Sequence, residues 1–344
     1  MKIVVLAGGY SPERDVSLTS GSLIANALIG RGHRVLLLDP YLGATLPADP
    51  ENLFQSKPYP VYSVKTAEPD LVLLKAQADQ GNALVAKNVD VLCRMADVIY
   101  NAQHGGAGED GRMQGYLDCL GVPYTGTGAL GAMLSMDKDI AKSLLSAVGI
   151  PTPRGIVFNP ADANAADRIL QEIGLPCVIK PCSCGSSVGV SMVEDETQLR
   201  DAIALGAQYE NRLLAEVKLI GRELTVGYLD GVTLPPMEII PKQGFYDYKN
   251  KYQAGLTEEL CPAPLTEEQT AYVTELTARG FAALHLDGYA RLDFILTPDG
   301  TAYCLEANAL PGMTPTSLLP QMAEYAGLSY PDLCEYIVQL AVRK

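Results

Sequence analysis

The chain has 344 residues, of which 48% are hydrophobic and 19% are charged, as in folded globular proteins of two or three domains. Its net charge of −14 argues against binding to nucleic acids, whose phosphates require basic surfaces. No apolar run approaches the roughly 20 residues that span a bilayer, residues 1–6 are too short for a signal peptide, and the eight cysteines lack the spacing of a disulfide framework. These features predict a cytoplasmic protein without a membrane partner.

The first part of the chain alternates strands and helices in the way that is typical of a parallel sheet. Its predicted elements are, in order, strand 2–8, helix 17–32, strand 34–39, loop and edge structure at 43–69, strand 97–103, a glycine-rich turn at 104–111 and a helix to about residue 120. Two parallel strands joined by a helix require a right-handed crossover. An N-terminal Rossmann-like sheet is therefore expected.

The remainder of the chain mixes α/β and α+β patterns. Its predicted elements are helix 130–148, a strand to residue 158, helix 164–173, strand 176–181, helix 197–209, strand 212–219, two strands in 221–240, a polar loop at 241–264, helix 266–285, a hairpin around 291–308 and two closing helices. Loops as long as 241–264 are uncommon inside compact domains and are often functional lids.

The predicted hairpin carries three oxygen-bearing side chains near one another. The turn sequence Pro298-Asp299-Gly300 joins its strands and would bring Asp293 towards Glu306 and Asn308. Glu306 and Asn308 are two residues apart and so share a face of their strand. Two carboxylates and an amide oxygen suit Mg²⁺, which keeps sites for water or phosphate. The alternative is an ordinary surface hairpin with scattered polar residues.

Other side chains have the chemistry to bind a nucleotide. Lys180 ends an apolar strand just before the small-residue loop 185–189, whose backbone N–H groups could cradle phosphate, and Lys138 lies on a predicted helix. The loop lacks the Walker pattern, which argues against a P-loop site. Glu216 and Glu223 are either acceptors for a nucleotide or simple strand carboxylates.

The segment Gly8-Gly9-Tyr10-Ser11-Pro12-Glu13 follows the first strand, and Asp39 ends the second, which invites a dinucleotide-binding interpretation. The G-x-G-x-x-G fingerprint is absent, and Glu13 would repel a pyrophosphate. Glu13 is better suited to an ammonium group. His104, at the end of a strand, is a site or a structural residue, and Arg291 could bind a carboxylate, phosphate or oxyanion.

Taken in order, these motifs resemble the D-alanine–D-alanine ligase family of the ATP-grasp superfamily over nearly the whole chain. The matching segments are Gly8-Gly9-x-Ser11-x-Glu13-Arg14-x-Val16-Ser17, His104-Gly105-x-x-Gly108-Glu109-Asp110-Gly111, Met136-Asp137-Lys138, Lys180-Pro181 with Gly185-Ser186-Ser187-Val188-Gly189, Gly221-Arg222-Glu223, Phe245-Tyr246-Asp247-Tyr248 with Lys251-Tyr252, and Arg291-x-Asp293 through Pro311-Gly312-Met313-Thr314. Each motif is loose alone, but their common order is specific.

The resemblance implies a three-domain ATP-grasp fold with an N-terminal domain at 1–126, a central subdomain at 127–217, and a C-terminal subdomain at 218–344 with its lid at 241–264. It also implies ligation of two D-alanines for peptidoglycan precursor synthesis, with ATP cleaved to ADP and phosphate through an acyl phosphate. The expected metal is Mg²⁺, in two copies and replaceable by Mn²⁺. The expected assembly is a homodimer.

The resemblance further assigns roles to individual residues. Metal would bind to Asp293, Glu306 and Asn308. ATP would contact Lys138, Lys180, Ser187, Glu216, Glu223 and Lys251. The oxyanion would be stabilised by Arg291 and the backbone N–H of Gly312, and the amino acids would contact Glu13, His104, Lys251, Ser317 and Leu318. Glu13, Ser186 and Tyr252 would form a hydrogen-bonded latch that closes the lid.

The chain departs from the family pattern at three places. Val217-Lys218 follows Glu216 where acidic or aromatic residues are frequent, and Ala309 replaces the Thr that usually follows the metal-binding Asn. Cys182 and Cys184 begin the phosphate loop, so thiol oxidation is expected to inhibit the protein.

Several alternatives remain open. A ligase that takes D-serine second differs by one hydroxyl, which a pocket rejects only weakly, whereas Tyr252 argues against D-lactate. A nicotinamide-dependent dehydrogenase is suggested only by the first strand–helix–strand unit and Asp39, and the missing glycine fingerprint argues against it. A non-catalytic binding relative should have lost ligands or lysines that this chain keeps.

Overall fold

The computed structural model describes residues 1–64, 69–78, 83–185, 188–242 and 257–343. The strands are β1 (Lys2–Leu6), β2 (Arg34–Leu38), β3 (Val98–Asn101), β4 (Gly155–Phe158), β5 (Cys177–Pro181), β6 (Ser191–Val193), β7 (Leu213–Val217), β8 (Arg222–Leu229), β9 (Val232–Thr233), β10 (Met237–Pro241), β11 (Thr257–Leu260), β12 (Tyr289–Leu296) and β13 (Ala302–Asn308). The α-helices are α1 (Arg14–Gly30), α2 (Leu71–Gln77), α3 (Val89–Arg94), α4 (Arg112–Leu120), α5 (Ala129–Met136), α6 (Lys138–Ala147), α7 (Ala165–Glu172), α8 (Glu196–Gly206), α9 (Glu267–Ala283), α10 (Leu318–Tyr325) and α11 (Tyr330–Arg343). None of the described helices is long and apolar enough to cross a membrane.

The first sheet has the strand order β2-β1-β3, and all its pairs are parallel. The continuous apolar run of β1 is buried on both faces, as parallel strands require. Ile3 and Val5 belong to one hydrophobic cluster, and Val4 and Leu6 belong to another on the opposite face. The predicted Rossmann-like parallel sheet is confirmed.

The second sheet has the strand order β4-β7-β5-β6, and all its pairs are antiparallel. Helices α7 and α8 pack on it around a hydrophobic cluster of its own, which includes Ile169, Ile179, Leu199 and Leu213. The central strands β5 and β7 carry Lys180 and Glu216 respectively.

The third sheet is also antiparallel, with β11-β10-β8-β12-β13 in order and β9 paired with β8. The predicted hairpin is confirmed as β12 and β13, with a bulge between Asp293 and Phe294. Strand β11 falls inside the segment predicted as loop, because the sequence Thr-Glu-Glu-Leu offers little apolar alternation. Pairing with β10 supplies its backbone hydrogen bonds.

The predicted helix 130–148 is two helices. Asp137 adopts an extended conformation (φ −83°, ψ 103°), ends α5 and caps α6 by accepting hydrogen bonds from Asp139 N and Ile140 N. Aspartate is favoured at this capping position. The break turns the first residue of α6, Lys138, towards the loop after β5, where its backbone N–H donates to Cys182 O (2.8 Å). Helices α2 and α3 are further elements that the sequence patterns did not predict.

The first and last elements of the chain share a hydrophobic core. Helix α11 packs against α1, and Ile337 and Val338 lie in the same cluster as Ile24 and Leu28. An ion pair also joins the two helices: Arg31 follows the last residue of α1, and Asp332 lies in the first turn of α11. Helices α5 and α6 pack against β13 of the third sheet. The domain limits at residues 126 and 217 remain predictions.

Candidate active site

A cavity of about 420 Å³ lies where the first sheet, the phosphate loop and the third sheet meet. It collects many of the predicted site residues from distant parts of the chain, namely Glu13, His104, Lys138, Arg291, Glu306, Asn308, Gly312, Ser317 and Leu318. Asp293, Lys180, Glu216 and Glu223 are not among the described residues that line it. A cavity with several convergent polar groups is where a small-molecule site is expected.

The hairpin presents its polar side chains on one face. Asp293 pairs directly with Glu306, and Arg291 pairs with Asn308. Directly opposite residues on antiparallel strands point to the same side of the sheet. Asp293 is 8% exposed, and its Oδ1 accepts a hydrogen bond from Thr225 Oγ1 (2.7 Å) on the neighbouring strand β8.

This donor set fits a hard cation. The described residues contain no cluster of three or more His, Cys, Asp or Glu side chains that would hold a metal alone. The hairpin instead offers two carboxylates and one amide oxygen, and Mg²⁺ commonly takes few protein ligands and completes its shell with water and phosphate. Asn308 Oδ1 also accepts from Leu310 N (3.1 Å), which fixes the amide's orientation.

Arg291 is buried and bonded to Asp293. Its Nε donates to Asp293 Oδ1 (2.9 Å), and its terminal nitrogen donates to Oδ2 (3.0 Å). This two-point pairing fixes both side chains, as planar guanidinium–carboxylate geometry allows. A bound metal would share Asp293 with Arg291. The predicted oxyanion role of Arg291 stays a prediction, since this structure shows the guanidinium engaged with the carboxylate.

Lys138 also lines the cavity and is 7% exposed. Its Nζ donates to Cys184 O (2.6 Å) and lies 3.6 Å from Glu306 Oε2. The adjacent Asp137 pairs with Arg212 (2.7 Å), which ties the start of α6 to the start of β7. The Met136-Asp137-Lys138 motif therefore places an ammonium group between the Cys184 carbonyl and the Glu306 carboxylate of the hairpin.

Glu216 lies between two lysines. It is 3% exposed, its Oε2 is 2.5 Å from Lys180 Nζ, and its Oε1 contacts Lys142 Nζ. Burial raises the pKa of Glu216, but the charges of Lys180 and Lys142 outweigh this and hold that pKa below its usual value. Burial also lowers the pKa of Lys142, which donates to Pro153 O (2.6 Å). The predicted contact of Glu216 with ATP remains a prediction.

Lys142 was missed by sequence reasoning. It lies on α6 four residues after Lys138, and residues at this spacing share one face of a helix. Because Lys138 is predicted to bind phosphate, Lys142 on the same helix face is a candidate site residue as well. That spacing was the available signal.

The cavity's other end is formed by the first sheet. Glu13 and His104, which follow β1 and β3, are both buried, and His104 contacts Glu109 Oε1 and Ser20 Oγ, each at 3.4 Å. Gly105 has φ +68°, and a Cβ there would overlap the Glu13 carboxylate. Glycine is therefore required both for the backbone conformation and for the close approach of Glu13.

The dinucleotide alternative is not supported by the position of Asp39. Its carboxylate forms an ion pair with Arg14 and accepts hydrogen bonds from Gly9 N (3.2 Å) and Tyr41 N (2.9 Å). A ribose acceptor needs an available carboxylate at the end of the second strand. Asp39 instead stabilises the loop that carries Glu13.

Gly312 and Ser317 form the side of the cavity next to α10. Ser317 is the residue before α10, and its Oγ accepts from Thr314 N (3.1 Å) and contacts Thr314 Oγ1 (2.8 Å). A Cβ at Gly312 would lie 2.9 Å from Ser317 Oγ, so a larger residue there would displace the Ser317 hydroxyl. Leu318 is 4% exposed and packs in the core.

Four predicted site residues lie outside the described residues: Ser186, Ser187, Lys251 and Tyr252. The latch between Glu13, Ser186 and Tyr252 and the lid at 241–264 therefore stay predictions. Glu223 is described, and it lies on β8 in register with Ile295 of β12.

The position of the cysteines revises the expectation that oxidation inhibits the protein. Cys182 is buried, and burial raises its pKa to about 12; burial also raises the pKa of Cys184. The thiolate is the reactive species, so both thiols should be slow to oxidise. We expect nucleotide-cleaving activity to survive brief peroxide treatment at pH 7. An activity loss that Cys184→Ser prevents would contradict this.

Comparisons with known proteins agree over the whole chain. The sequence model of the "D-ala D-ala ligase N-terminus" matches residues 2–127, and that of the "D-ala D-ala ligase C-terminus" matches residues 144–339. The D-alanine–D-alanine ligase of Pediococcus pentosaceus is 39% identical over 98% of this chain and 97% of its own length. That of Moorella thermoacetica is 37% identical over 99% of each chain.

Solved structures give the same result. The D-alanine–D-alanine ligase of Bacillus anthracis complexed with ATP has a TM-score of 0.74 and 26% identity, covering 100% of this chain and 97% of its own. The VanG D-Ala:D-Ser ligase of Enterococcus faecalis has a TM-score of 0.78 and 26% identity, with 99% of each chain covered. The predicted ATP-grasp architecture is thereby confirmed.

Proposed function

The chain belongs to the D-alanine–D-alanine ligase family, and we propose that it joins two D-alanine molecules while cleaving ATP to ADP and phosphate. The main support for this proposal is one cavity that brings together residues from distant parts of the chain. Glu13 and His104 line it together with Lys138, Glu306 of the hairpin and Gly312. Its product is a building block of peptidoglycan, so the activity serves cell wall biogenesis and cell shape.

The reaction has two steps, both of which need charge neutralisation. In the first, a carboxylate oxygen of the first D-alanine attacks the γ-phosphorus and ADP leaves, which gives an acyl phosphate. In the second, the amine of the other D-alanine attacks the acyl carbon, loses a proton, and phosphate leaves. Glu13 would hold the first ammonium group, and Lys138 and Lys180 would neutralise phosphate oxygens.

The second step passes through a tetrahedral oxyanion. Arg291 and the backbone N–H of Gly312 are the donors that would stabilise it, and both line the cavity. Ser317 and Leu318 would contact the second amino acid. The proposal also includes contacts with ATP and the latch over the site. The ATP contacts are those of Ser187, Glu216, Glu223 and Lys251, and the latch includes Ser186 and Tyr252. Exclusion of water by a closed lid would protect the acyl phosphate from hydrolysis.

We propose Mg²⁺, in two copies and replaceable by Mn²⁺, as the divalent metal held by Asp293, Glu306 and Asn308. When bound, the metal would offset the negative charge that develops on the phosphate groups. Treatment with EDTA is expected to abolish ADP release, and excess Mg²⁺ should restore it. Undiminished ADP release in EDTA, with metal content verified by mass spectrometry, would contradict this assignment.

The decisive assay is ADP release by the purified protein with Mg²⁺-ATP and D-alanine. We expect ADP and D-alanyl-D-alanine in equal amounts, and no ADP release with D-alanine would refute the proposal. D-Alanine plus D-serine is the second condition, because the likeness to a D-Ala:D-Ser ligase favours it as the alternative. D-Alanine plus D-lactate is the third.

We propose that the protein works in the cytoplasm, because precursor synthesis uses ATP and free D-alanine. We also propose that it forms a homodimer. Sedimentation at several protein concentrations tests the assembly directly. A monomer at all concentrations would contradict it.

A further inference from the structure

One acidic side chain of the cavity has no role in the reaction proposed above. Among the described lining residues, Glu13, Glu109, Glu259 and Glu306 are acidic. Glu13 is assigned to the first ammonium group, Glu109 contacts His104, and Glu306 belongs to the metal-binding face. Glu259, on β11, is the remaining carboxylate.

Glu259 is held in place by α10. Gln321 Nε2 donates to Glu259 Oε2 (2.6 Å) and to Thr316 O (2.8 Å), so both N–H groups of this amide are used. Gln321 lies four residues after Ser317, and residues at this spacing lie on one face of a helix, about 5–6 Å apart. Because one nitrogen of Gln321 bonds both Glu259 and the carbonyl of Thr316, the residue before Ser317, Glu259 lies at the end of the cavity that carries Ser317. Ser317 is the group proposed to bind the second substrate's carboxylate.

The charge around Glu259 favours a cationic ligand. Among the described residues, the cation whose charge acts on Glu259 is Arg291, and that guanidinium also donates two hydrogen bonds to Asp293. Burial raises the pKa of Glu259, and the hydrogen bond from Gln321 and the charge of Arg291 offset this effect only in part. A carboxylate in this position is stabilised by a ligand that brings its own positive charge.

An α-amino acid has the complementary arrangement, with an ammonium group and a carboxylate on adjacent atoms. We infer that Glu259, oriented by Gln321, binds the amino group of the second amino acid and places its nitrogen next to the acyl phosphate. This inference rests on the proposed ligation. It adds a specificity residue to the second subsite, because a hydroxy acid lacks the ammonium group that Glu259 would bind.

The test compares the two Michaelis constants for D-alanine. Glu259→Gln keeps the size and hydrogen-bonding capacity of the side chain but removes its charge. Because hydrogen bonds to charged groups contribute about 1.5–3 kcal/mol, we expect the KM of the second D-alanine to rise about 10-fold to 100-fold. The KM values of the first D-alanine and of ATP should change less than twofold.

The matched control is Glu258→Gln. Glu258 is the preceding residue on β11, is exposed and points to the opposite side of the strand, so the same charge change should leave all constants near wild type. Melting temperature, measured for both variants, reports whether either substitution disturbs the fold. A destabilised but active Glu259→Gln protein remains informative, because a loss of folded protein lowers the apparent kcat and not one KM selectively.

A second measurement separates binding of the amino group from a structural role. D-Lactate, which lacks an amino group, should inhibit the wild type and Glu259→Gln with equal strength, whereas D-alanine binding at the second subsite should weaken in the variant. An unchanged second KM, or an equal rise in both D-alanine KM values, would overturn the inference. Absence of ADP release by the wild type would instead refute the proposed ligation itself.

Discussion

Replacing Arg291 by Ala is expected to lower kcat about 10²-fold to 10³-fold, the effect of removing one oxyanion donor in other acyl-transfer enzymes. Arg291 is buried, lines the cavity and fixes Asp293 through two hydrogen bonds. Its loss would therefore remove the proposed oxyanion donor and also free Asp293, the proposed metal ligand, from its two hydrogen bonds. Steady-state ADP release at saturating substrates measures the effect.

Two further variants test whether the effect depends on the guanidinium geometry of Arg291 and whether it is specific to this site. Arg291→Lys keeps the charge but not the planar fork, so it should recover little of kcat if two-point geometry matters. Arg222→Gln is the matched control, since Arg222 forms a similar pair with Glu238 on the same sheet (both contacts 2.7 Å). We expect its kcat to stay within about threefold of wild type. An Arg291→Ala protein with wild-type kcat would exclude the oxyanion role.

Glu216→Gln is expected to destabilise the fold by about 3–5 kcal/mol, because it leaves the Lys142 and Lys180 ammonium groups buried without their carboxylate. Urea unfolding at pH 7 measures this effect, and circular dichroism is the appropriate signal because the chain has no Trp. The control is Glu194→Gln. Glu194 is exposed and its partner Lys218 is only half-buried, so the loss of this ion pair should cost less than about 1 kcal/mol.

The same pair of proteins gives a pH test. The pKa of Glu216 is lowered in the folded state from its usual value of 4.5. A carboxylate of this kind contributes stability above its unfolded pKa and loses that contribution as the pH falls through its folded pKa. The stability difference between wild type and Glu216→Gln should be largest above pH 4.5 and shrink in stronger acid. A difference that is constant with pH would contradict the charged pairing.

The hairpin of β12 and β13, with its proposed metal ligands, could be predicted from sequence because every signal for it is local. The turn Pro298-Asp299-Gly300 fixes where the strands meet, and two-residue spacing fixes which side chains share a face. The structure confirms the hairpin and pairs Asp293 with Glu306. Family resemblance was needed to connect it with Glu13 and His104, which reach the cavity through the tertiary arrangement of separate sheets.

The residues that sequence reasoning missed depend on tertiary contacts. Glu259 lies on a short strand whose polar sequence resembles a loop, and only pairing with β10 and the contact from Gln321 direct it into the cavity. Lys142 looks like a surface lysine on α6 until β7 places Glu216 against it. In both cases the partner lies far along the chain, where periodicity within one element carries no information.

The core shared by α1 and α11 has a consequence for how the protein is made. On the ribosome the first sheet emerges early, but Ile24 and Leu28 find their partners Ile337 and Val338 only when the last residues have been synthesised. The second sheet, with its own hydrophobic cluster, can close beforehand. A nascent chain halted before residue 330 should therefore hold a protease-resistant middle and a protease-sensitive beginning.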